Sequence, residues 1–503
     1  MVVKEMDKKI FLILKRNNYF FLEILLLIFS YALIFNHIGR TAIRMWDESV
    51  YVNNALEMFY NGDYLIKYFN GKPEMWGTQP PLVAWLQVIC LKIFGLKEWV
   101  FRIPSALAIT GVGFLMLNVS KYLFKNKYIG FLSALVFWTT EGIIRRHVAR
   151  TADLDASLVF FTFATAIFLY KYLQDKKIKN LYFSTLFLIA SVYTKSVAGL
   201  LFMPGLLLFL FYTKKLKLIF LNKHFYFCIL LFFISIFSYY IARETQNEGY
   251  LMQVWKNEMG GRFFEVNEGH QEKYNYYFDL IYSSHFKSWV FFIFLGLSFP
   301  FIKKLKKFKQ FIIFCFVNSL VFLLVLSSSE TKIGWYEAPA YPYLSFIVGI
   351  AIYFIIKSFI NFLEIKNWKR KIVSILLFLS IFYYPVDKII KKNIAEKNTW
   401  GEELFGHFIK EIEEKNSDIK KLTFLITNWH GHAIFYKTLY EKKGYEIEIR
   451  SIRKKVEVME NEYIVFWHND VIKHLKKDYN FELIQKKNYK KINMFLIKVN
   501  LKK

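Results

Sequence analysis

Residues 44–58 read RMWDESVYVNNALEM, directly after a long apolar run, FFLEILLLIFSYALIF (20–35). Two adjacent carboxylates, Asp47 and Glu48, therefore follow closely on a stretch suited to crossing a bilayer, which takes about 20 apolar residues. Charge beside a membrane core is costly unless it is paired or put to use. No small-residue cleavage site follows the run, so it reads as a retained helix and not as a signal peptide.

The rest of the chain repeats that pattern. Its 503 residues are 55% hydrophobic and 20% aromatic, with 55 Phe and 33 Tyr, more apolar surface than a water-soluble core of this size takes up. Charge-free runs recur at roughly 25–40 residues, the rhythm of successive membrane crossings. The formal charge of +28 does not point to nucleic acid. Its lysines cluster in short loops: KYLFKNK (121–127), KYLQDKKIK (171–179), TKKLK (213–217), KKLKKFK (303–309) and KNWKRK (366–371). Positive charge in short loops marks the cytoplasmic side. Cys90, Cys228 and Cys315 lie far apart in apolar runs, which predicts no disulfide framework and no thiolate metal site.

Between basic loops the chain must leave and return. The interval 180–213 is bounded by them on both sides and would form one helix about 50 Å long at ~1.5 Å per residue, too long for one crossing. Two helices broken around Thr194, Lys195 and Ser196 satisfy both constraints. The remaining crossings fall at 19–38, 101–123, 128–146, 154–173, 218–241, 286–302, 310–327, 336–357 and 372–386. The expectation is a polytopic α-helical membrane protein of about 11 transmembrane helices in residues 1–387. Its extracytoplasmic loops are 39–99 and 242–285, its N-terminus is cytoplasmic, and the plasma (inner) membrane is its site. Residues 388–503 read as a small soluble α/β domain on the extracytoplasmic side. TWGEELFGHFIKEIEEK has a helical period, a second helix starts near 430, and KLTFLIT, YEIEIRS, EYIVFWH and MFLIKVN read as strands. Trp85, Trp99, Trp138 and Trp289 read as interfacial belt residues.

On this topology the notable polar residues share one face: Asp47 and Glu48; Arg145, Arg146, His147, Arg150, Asp153 and Asp155; Lys195; Arg262 and His270; Lys332 and Tyr336. Lys and Arg suit a phosphate, and a lipid-linked phosphate lies at this depth. A carboxylate left over can take a proton from an attacking hydroxyl. The inferred chemistry transfers a group from a lipid phosphate to an acceptor outside the cytoplasm. No Gly-rich phosphate loop is present. A transporter or flippase of polyprenyl-linked lipid is the other class such residues allow, but it would carry polar residues in both leaflets, and here the cytoplasmic halves of the helices are nearly all apolar.

The Asp47-Glu48 pair and six further segments in order resemble the C-type glycosyltransferases of the dolichyl-phosphate-mannose protein mannosyltransferase and aminoarabinose (lipid A) transferase group, over residues 20–345. The Asp47-Glu48 pair is similar to that group's signature after helix 1. TQPPLVAWLQ (78–87), FGLKEWVFRIPSAL (94–107), VARTADLDASLVFF (148–161), YTKSVAGL (193–200) and TKIGWYEAPAYPYL (331–344) resemble further motifs, and WKNEMGGRF with His270 resembles its long outer loop. The resemblance implies Asp47 as catalytic base, Glu48 as its support and Asp155 as the second functional acid. It implies Lys195, Arg262, Lys332 and Tyr336 around the donor phosphate, and more weakly Arg150, Asp153, Gln79 and His270 around substrate. The implied donor is a polyprenyl-phosphate sugar, the acceptor a lipid-linked glycan, lipid A or a protein, and the displacement inverts the anomeric centre. Membrane lipids are partners and nucleic acid is not. Where the aminoarabinose transferases carry Glu-Lys before the proline, this chain has Thr78-Gln79. No metal ligand set and no cofactor is assigned, and a divalent cation is left open. Asp47 is expected where an acceptor hydroxyl meets a lipid-borne sugar, with the flanking aromatics anchoring the turn at the interface.

Overall fold

The computed structural model describes residues 19–502 apart from 146, 261–265, 267–268, 365–366, 396, 398–401, 427–428, 452–457, 468 and 490–491. Arg146 and Arg262 lie outside the described residues. The chain forms two compact units. One comprises Met1–His37, Met75–Val83 and Arg102–Ile394; the other comprises Ile38–Glu74, Ala84–Phe101 and Ala395–Lys503.

The first unit is helical. Among the described residues, seven helices are long and apolar enough to cross a membrane: Glu98–Phe124, Asp155–Asp175, Ile178–Leu200, Lys223–Gln246, Lys306–Ser327, Ala338–Phe362 and Trp368–Ala395. The pair Tyr276–His285 and Lys287–Phe301, bent by 79°, makes an eighth if it is one span. The chain is a multi-pass membrane protein. The expected count of eleven also takes in Tyr19–Phe35, Lys127–Trp138 and Met203–Tyr212, which are apolar but short.

In chain order the first helices are α1 (Tyr19–Phe35), α2 (Asp47–Asn61), α3 (Leu82–Phe94), α4 (Ile103–Phe124), α5 (Lys127–Trp138), α6 (Asp155–Asp175), α7 (Ile178–Lys195) and α8 (Met203–Tyr212). Asn126 opens α5 by accepting the Tyr128 N–H at 2.9 Å, which satisfies one of the helix's orphan donors. α5 ends eight residues short of the expected 146, and residues 139–145 and 147–154 run as turns and bends in its place. α5 is held between two close crossings. A Cβ at Gly130 would lie 2.4 Å from the Met116 carbonyl oxygen on α4, and one at Gly349 would lie 2.1 Å from Ser133 Oγ. Small residues at such crossings let backbones approach where lipid offers no hydrophobic drive. Trp138 is fully buried at this junction and donates to the Ile109 carbonyl at 2.9 Å; Trp289 is buried too. Neither is a belt residue, because each fills a gap between helices.

The break expected in 180–213 is present. α7 stops at Lys195, Ser196 takes φ +49°, and a 3-10 turn over Ser196–Leu200 leads towards α8. Gly199 makes that turn possible, since a Cβ there would sit 2.5 Å from the Ser191 carbonyl oxygen.

The second unit is built on a five-stranded mixed sheet. Its strands are β3 (Lys421–Ile426), β4 (Glu446–Ser451), β5 (Tyr463–Phe466), β6 (Tyr479–Asn488) and β7 (Asn493–Lys502), in the order β4-β3-β5-β7-β6. A small hairpin of β1 (Tyr68–Phe69) and β2 (Lys72–Pro73) precedes them. β3 pairs parallel with β4 and β5, and the helix Gly431–Glu441 makes the β3–β4 crossover. β7 returns antiparallel against β5 and β6. Leu425, Ile464, Phe466, Phe495 and Ile497 pack with Val471 and Leu475 of the helix Asn469–Asp478. That helix and β6 carry no clear sequence period and were not anticipated. Residues 38–74 and 84–101 fold with this sheet. Asn53 donates to the Gly431 carbonyl at 2.8 Å, the Ile43 N–H donates to the Tyr436 hydroxyl, and that hydroxyl donates to Glu98 at 2.7 Å.

Burial pushes the Glu413 carboxyl up, but hydrogen bonds from Lys443 and Tyr440 and the Lys443 charge outweigh it and hold its pKa below the ordinary value. A lowered pKa stabilises above the unfolded value, about 4.3 for glutamate, and that contribution is lost as pH falls through the folded value. Glu413→Gln is therefore expected to flatten the acid limb of the thermal-stability profile below about pH 4.5, leaving the neutral limb unchanged in slope. At the α4–α5 crossing, Gly130→Leu is expected to destabilise by about 1–3 kcal/mol or more, read as a lowered melting temperature in detergent.

Candidate active site

The membrane unit contains a pocket of about 150 Å³, lined by Asp155, Lys195, Glu258, Ser329, Thr331 and Tyr336 on its polar side and by Leu158, Val197, Ala198, Leu201, Phe322, Val325 and Leu326 on its apolar side. A cavity of that size holds a six-membered ring. A mostly apolar wall with a few convergent polar groups is the usual form of a small-ligand site.

Asp155 is the first residue of α6 and Lys195 the last of α7, so two helix ends bring the pair together. The ammonium donates to the carboxylate at 2.6 Å, with side chains 8% and 5% exposed respectively. The acid at a helix start and the cation at a helix end each also match their helix dipole. Lys195 Nζ stands 4.6 Å from the centre of the Tyr336 ring, where the ring's negative face adds to its support. The cation is thus held in place without being enclosed, and the pocket opens beside it.

The opposite polar group is Glu258, which the sequence reading passed over although it lies inside the outer-loop motif. Gln79 Nε2 donates to it at 2.7 Å and Thr78 Oγ1 at 3.3 Å. The Thr78 carbonyl in turn accepts from the Tyr250 hydroxyl at 2.6 Å. Within WKNEMGGRF Glu258 is the single acid, between Lys256 and Arg262, and that was the signal available.

Lys332 is buried, and its ammonium donates to the Ser329 carbonyl at 2.5 Å, one residue from the pocket wall. Its N–H donates to the His270 carbonyl at 2.9 Å, and Gln271 bridges to Thr331. His270 therefore pins the 329–336 strip with its backbone, while its side chain is exposed. Arg150 sits behind the pocket and donates to the carbonyls of Ile34 at 2.7 Å and Asn36 at 2.9 Å, closing the end of α1. Asp153 is buried 3.4 Å from His147 Nδ1, and the His147 ring stacks on Trp335 at 3.8 Å.

A second buried polar cluster supports the strip that carries Tyr336. Arg145 reaches His285 and the Gly334 carbonyl, His285 Nδ1 pairs with Glu337, and the Tyr341 hydroxyl donates to Glu337 at 2.9 Å. His285 lies at the bend of the 79° helix pair, so one network ties that bend to the loop before α6 and to residues 334–341. The sequence reading named Arg145 alone among these.

Asp47 and Glu48 belong to the α/β unit, where they form the first turn of α2. Glu48 is buried, and its carboxylate accepts the Arg44 N–H at 2.9 Å. Asp47 is exposed. Of the expected residues, then, Asp155, Lys195 and Tyr336 share one pocket, with Gln79 and Lys332 a single hydrogen bond behind its wall.

Residues 78–241 match the family model described as dolichyl-phosphate-mannose-protein mannosyltransferase. An uncharacterized protein of Aquifex aeolicus (strain VF5) is 26% identical over 351 residues, 69% of this chain and 65% of its own length. A protein of Bacillus subtilis (strain 168) named putative mannosyltransferase YkcB is 27% identical over 158 residues, 31% of this chain and 21% of its own. Among solved structures, ArnT from Cupriavidus metallidurans bound to undecaprenyl phosphate superposes with a TM-score of 0.67 at 13% identity, over 94% of this chain and 97% of that one. The Archaeoglobus fulgidus oligosaccharyltransferase superposes with a TM-score of 0.53 at 12% identity, over 86% and 64%. The chain therefore shares the fold of these membrane proteins, and its residues 78–241 match the dolichyl-phosphate-mannose-protein mannosyltransferase family model.

Proposed function

We propose that this chain is an integral membrane glycosyltransferase that moves a sugar from a polyprenyl-phosphate donor to a lipid-linked glycan, lipid A or protein acceptor on the extracytoplasmic face of the plasma membrane. The observation that carries the reading is the buried Asp155–Lys195 pair in the wall of a ring-sized pocket. Undecaprenyl phosphate in the ArnT structure of the same fold supports a lipid-phosphate donor.

In this reading the acceptor hydroxyl attacks the anomeric carbon as the bond from that carbon to the phosphate oxygen breaks. The electron pair leaves with the polyprenyl phosphate, and the hydroxyl proton passes to Asp47. Lys195 stabilises charge that grows on the leaving oxygen, where a fixed cation in a dry wall is worth most. Asp155 keeps Lys195 charged and aimed while the pocket is empty. Lys332 and Arg262 add positive potential, and Tyr336 covers one side of the sugar. Attack opposite the leaving group inverts the anomeric centre. The eleven-crossing topology with the α/β unit outside completes the proposal.

Membranes carrying wild type or Asp47→Asn, given polyprenyl-phosphate sugars with a radiolabel, test the reaction. Label transfer with release of polyprenyl phosphate is expected from the wild type, and a fall of about 10²–10⁴-fold in the variant, the usual share of a general base. Equal turnover in both would remove Asp47 as the base, and labelled lipid crossing the bilayer without transfer would favour a flippase. For the pair itself, Asp155→Ala strands a buried ammonium and is expected to cost about 3–5 kcal/mol of stability. Asp155→Ala combined with Lys195→Ala should be less destabilised than the two losses summed.

A further inference from the structure

Trp46 is an exception to what sequence and backbone rules allow. It has φ +71° and ψ −130°, a strained region that residues with a side chain rarely adopt. The conformation is held by its own carbonyl, which accepts the Ser49 hydroxyl at 2.7 Å and the Val50 N–H at 3.1 Å. Such strain places the indole where an ordinary helix start would not. The ring stays 48% exposed. It lies parallel to Trp429, with centroids 6.0 Å apart and planes at 5°, and Trp429 lies parallel to Phe69 at 5.2 Å and 7°. Three rings from three separate segments of the α/β unit thus share one orientation. The next residue is Asp47, exposed on the same turn.

We infer that this parallel aromatic array is a platform for a pyranose ring of the acceptor glycan, with Trp46 as the stacking residue and the Asp47 carboxylate accepting from that sugar's hydroxyl. The assignment of the sugar as acceptor rests on the reaction proposed above. The apolar C–H face of a pyranose carries slight positive charge and fits the negative face of an indole. Its hydroxyls need a hydrogen-bond acceptor at the ring's edge, and a carboxylate is the strongest one available. Anchoring in a bilayer interface would use the same indole but not the same neighbour. An exposed acid beside the ring opposes contact with an anionic lipid surface, which attracts Lys and Arg. The interfacial role expected from the sequence is therefore replaced by sugar recognition.

The test uses the purified full chain in detergent, with N,N′-diacetylchitobiose and methyl α-mannopyranoside as probes in saturation-transfer NMR. Wild type is expected to saturate the protons of a probe. Trp46→Ala should lower that signal by ~5–10-fold, in keeping with the worth of one aromatic face. Trp46→Phe should keep most of it. Trp46→Gly removes the ring while relieving the backbone, so a lost signal in a variant at least as stable as wild type separates recognition from misfolding. No signal in the wild type, or equal signals in wild type and Trp46→Gly, overturns the platform. So does quenching of Trp46 fluorescence by vesicles of brominated phosphatidylglycerol with no glycoside signal, which would return the residue to the membrane interface. The donor reading fails separately, if undecaprenyl phosphate raises the melting temperature of wild type and Lys195→Ala equally.

Discussion

A cation buried at the end of a membrane helix needs a partner, and the way Lys195 meets that need organises the membrane unit around it. The ammonium and the Asp155 carboxylate are 2.6 Å apart and almost out of solvent. Desolvation of two ions consumes most of what their attraction returns, so such pairs are poor sources of stability. What the pair does is fix the end of α7 against the start of α6 while leaving one side of the ammonium facing a pocket. An entering anion would meet a cation already desolvated and aimed. Little reorganisation then remains for the reaction itself, which is the condition under which fixed charges lower a barrier.

The same economy of placement recurs in the backbone. Lys195 is followed by Ser196 at φ +49° and ψ −131°, and Asp47 is preceded by Trp46 at φ +71° and ψ −130°. Both are non-glycine residues in nearly the same sparsely populated conformation, each beside one of the two charged residues to which the proposed chemistry assigns most. Strain of this kind persists only where surrounding contacts over-determine it. At Ser196 those include its hydroxyl's 2.9 Å contact with Tyr240 and the Gly199 turn against Ser191. At Trp46 they are the Ser49 and Val50 bonds to its carbonyl. Two units of different architecture therefore end a helix or begin one in the same costly way, and in each case the product is a charged side chain held off the helix's natural path.

Much of this was legible in the sequence because membranes enforce simple rules. Basic loops and charge-free runs placed most helices to within about five residues, the ends at 138 and 395 being the larger misses, and the demand that 180–213 return to its own side located the break at Lys195. Hydrophobic alternation likewise found β3, β4, β5 and β7. The strand β6 escaped because YNFELIQKKN mixes charge into an edge strand that buries little, and α2 escaped because Asp47 and Glu48 drew attention as chemistry and not as the first turn of a helix. Trp138 and Trp289 were misread since a tryptophan near a helix end looks the same in one dimension whether it meets headgroups or fills the space left by Gly113. What one dimension cannot carry is side-chain convergence: nothing local to Arg145, His285, Glu337 or Tyr341 announces that they meet.

Glu258 makes the same point for the pocket's electrostatics. Read motif by motif, the chain has exchanged a charged dipeptide for Thr78-Gln79 and has no acid there. Read as an assembled wall, it has one, delivered by the outer loop and held by Thr78 and Gln79 themselves. The two neutral side chains are suited to that task, since an acid at 78 would repel Glu258 at 3.3 Å while the Thr78 hydroxyl and the Gln79 amide donate to it. The substitution and the incoming carboxylate are therefore one feature seen from two segments. The pocket's polar side becomes a cation flanked by two acids, with Lys195 neutralised by Asp155 and Glu258 facing the cavity through neutral donors. A ligand that suits such a wall carries its anion towards Lys195 and its hydrogen-bond donors towards Glu258, which is the polarity of a sugar linked through phosphate.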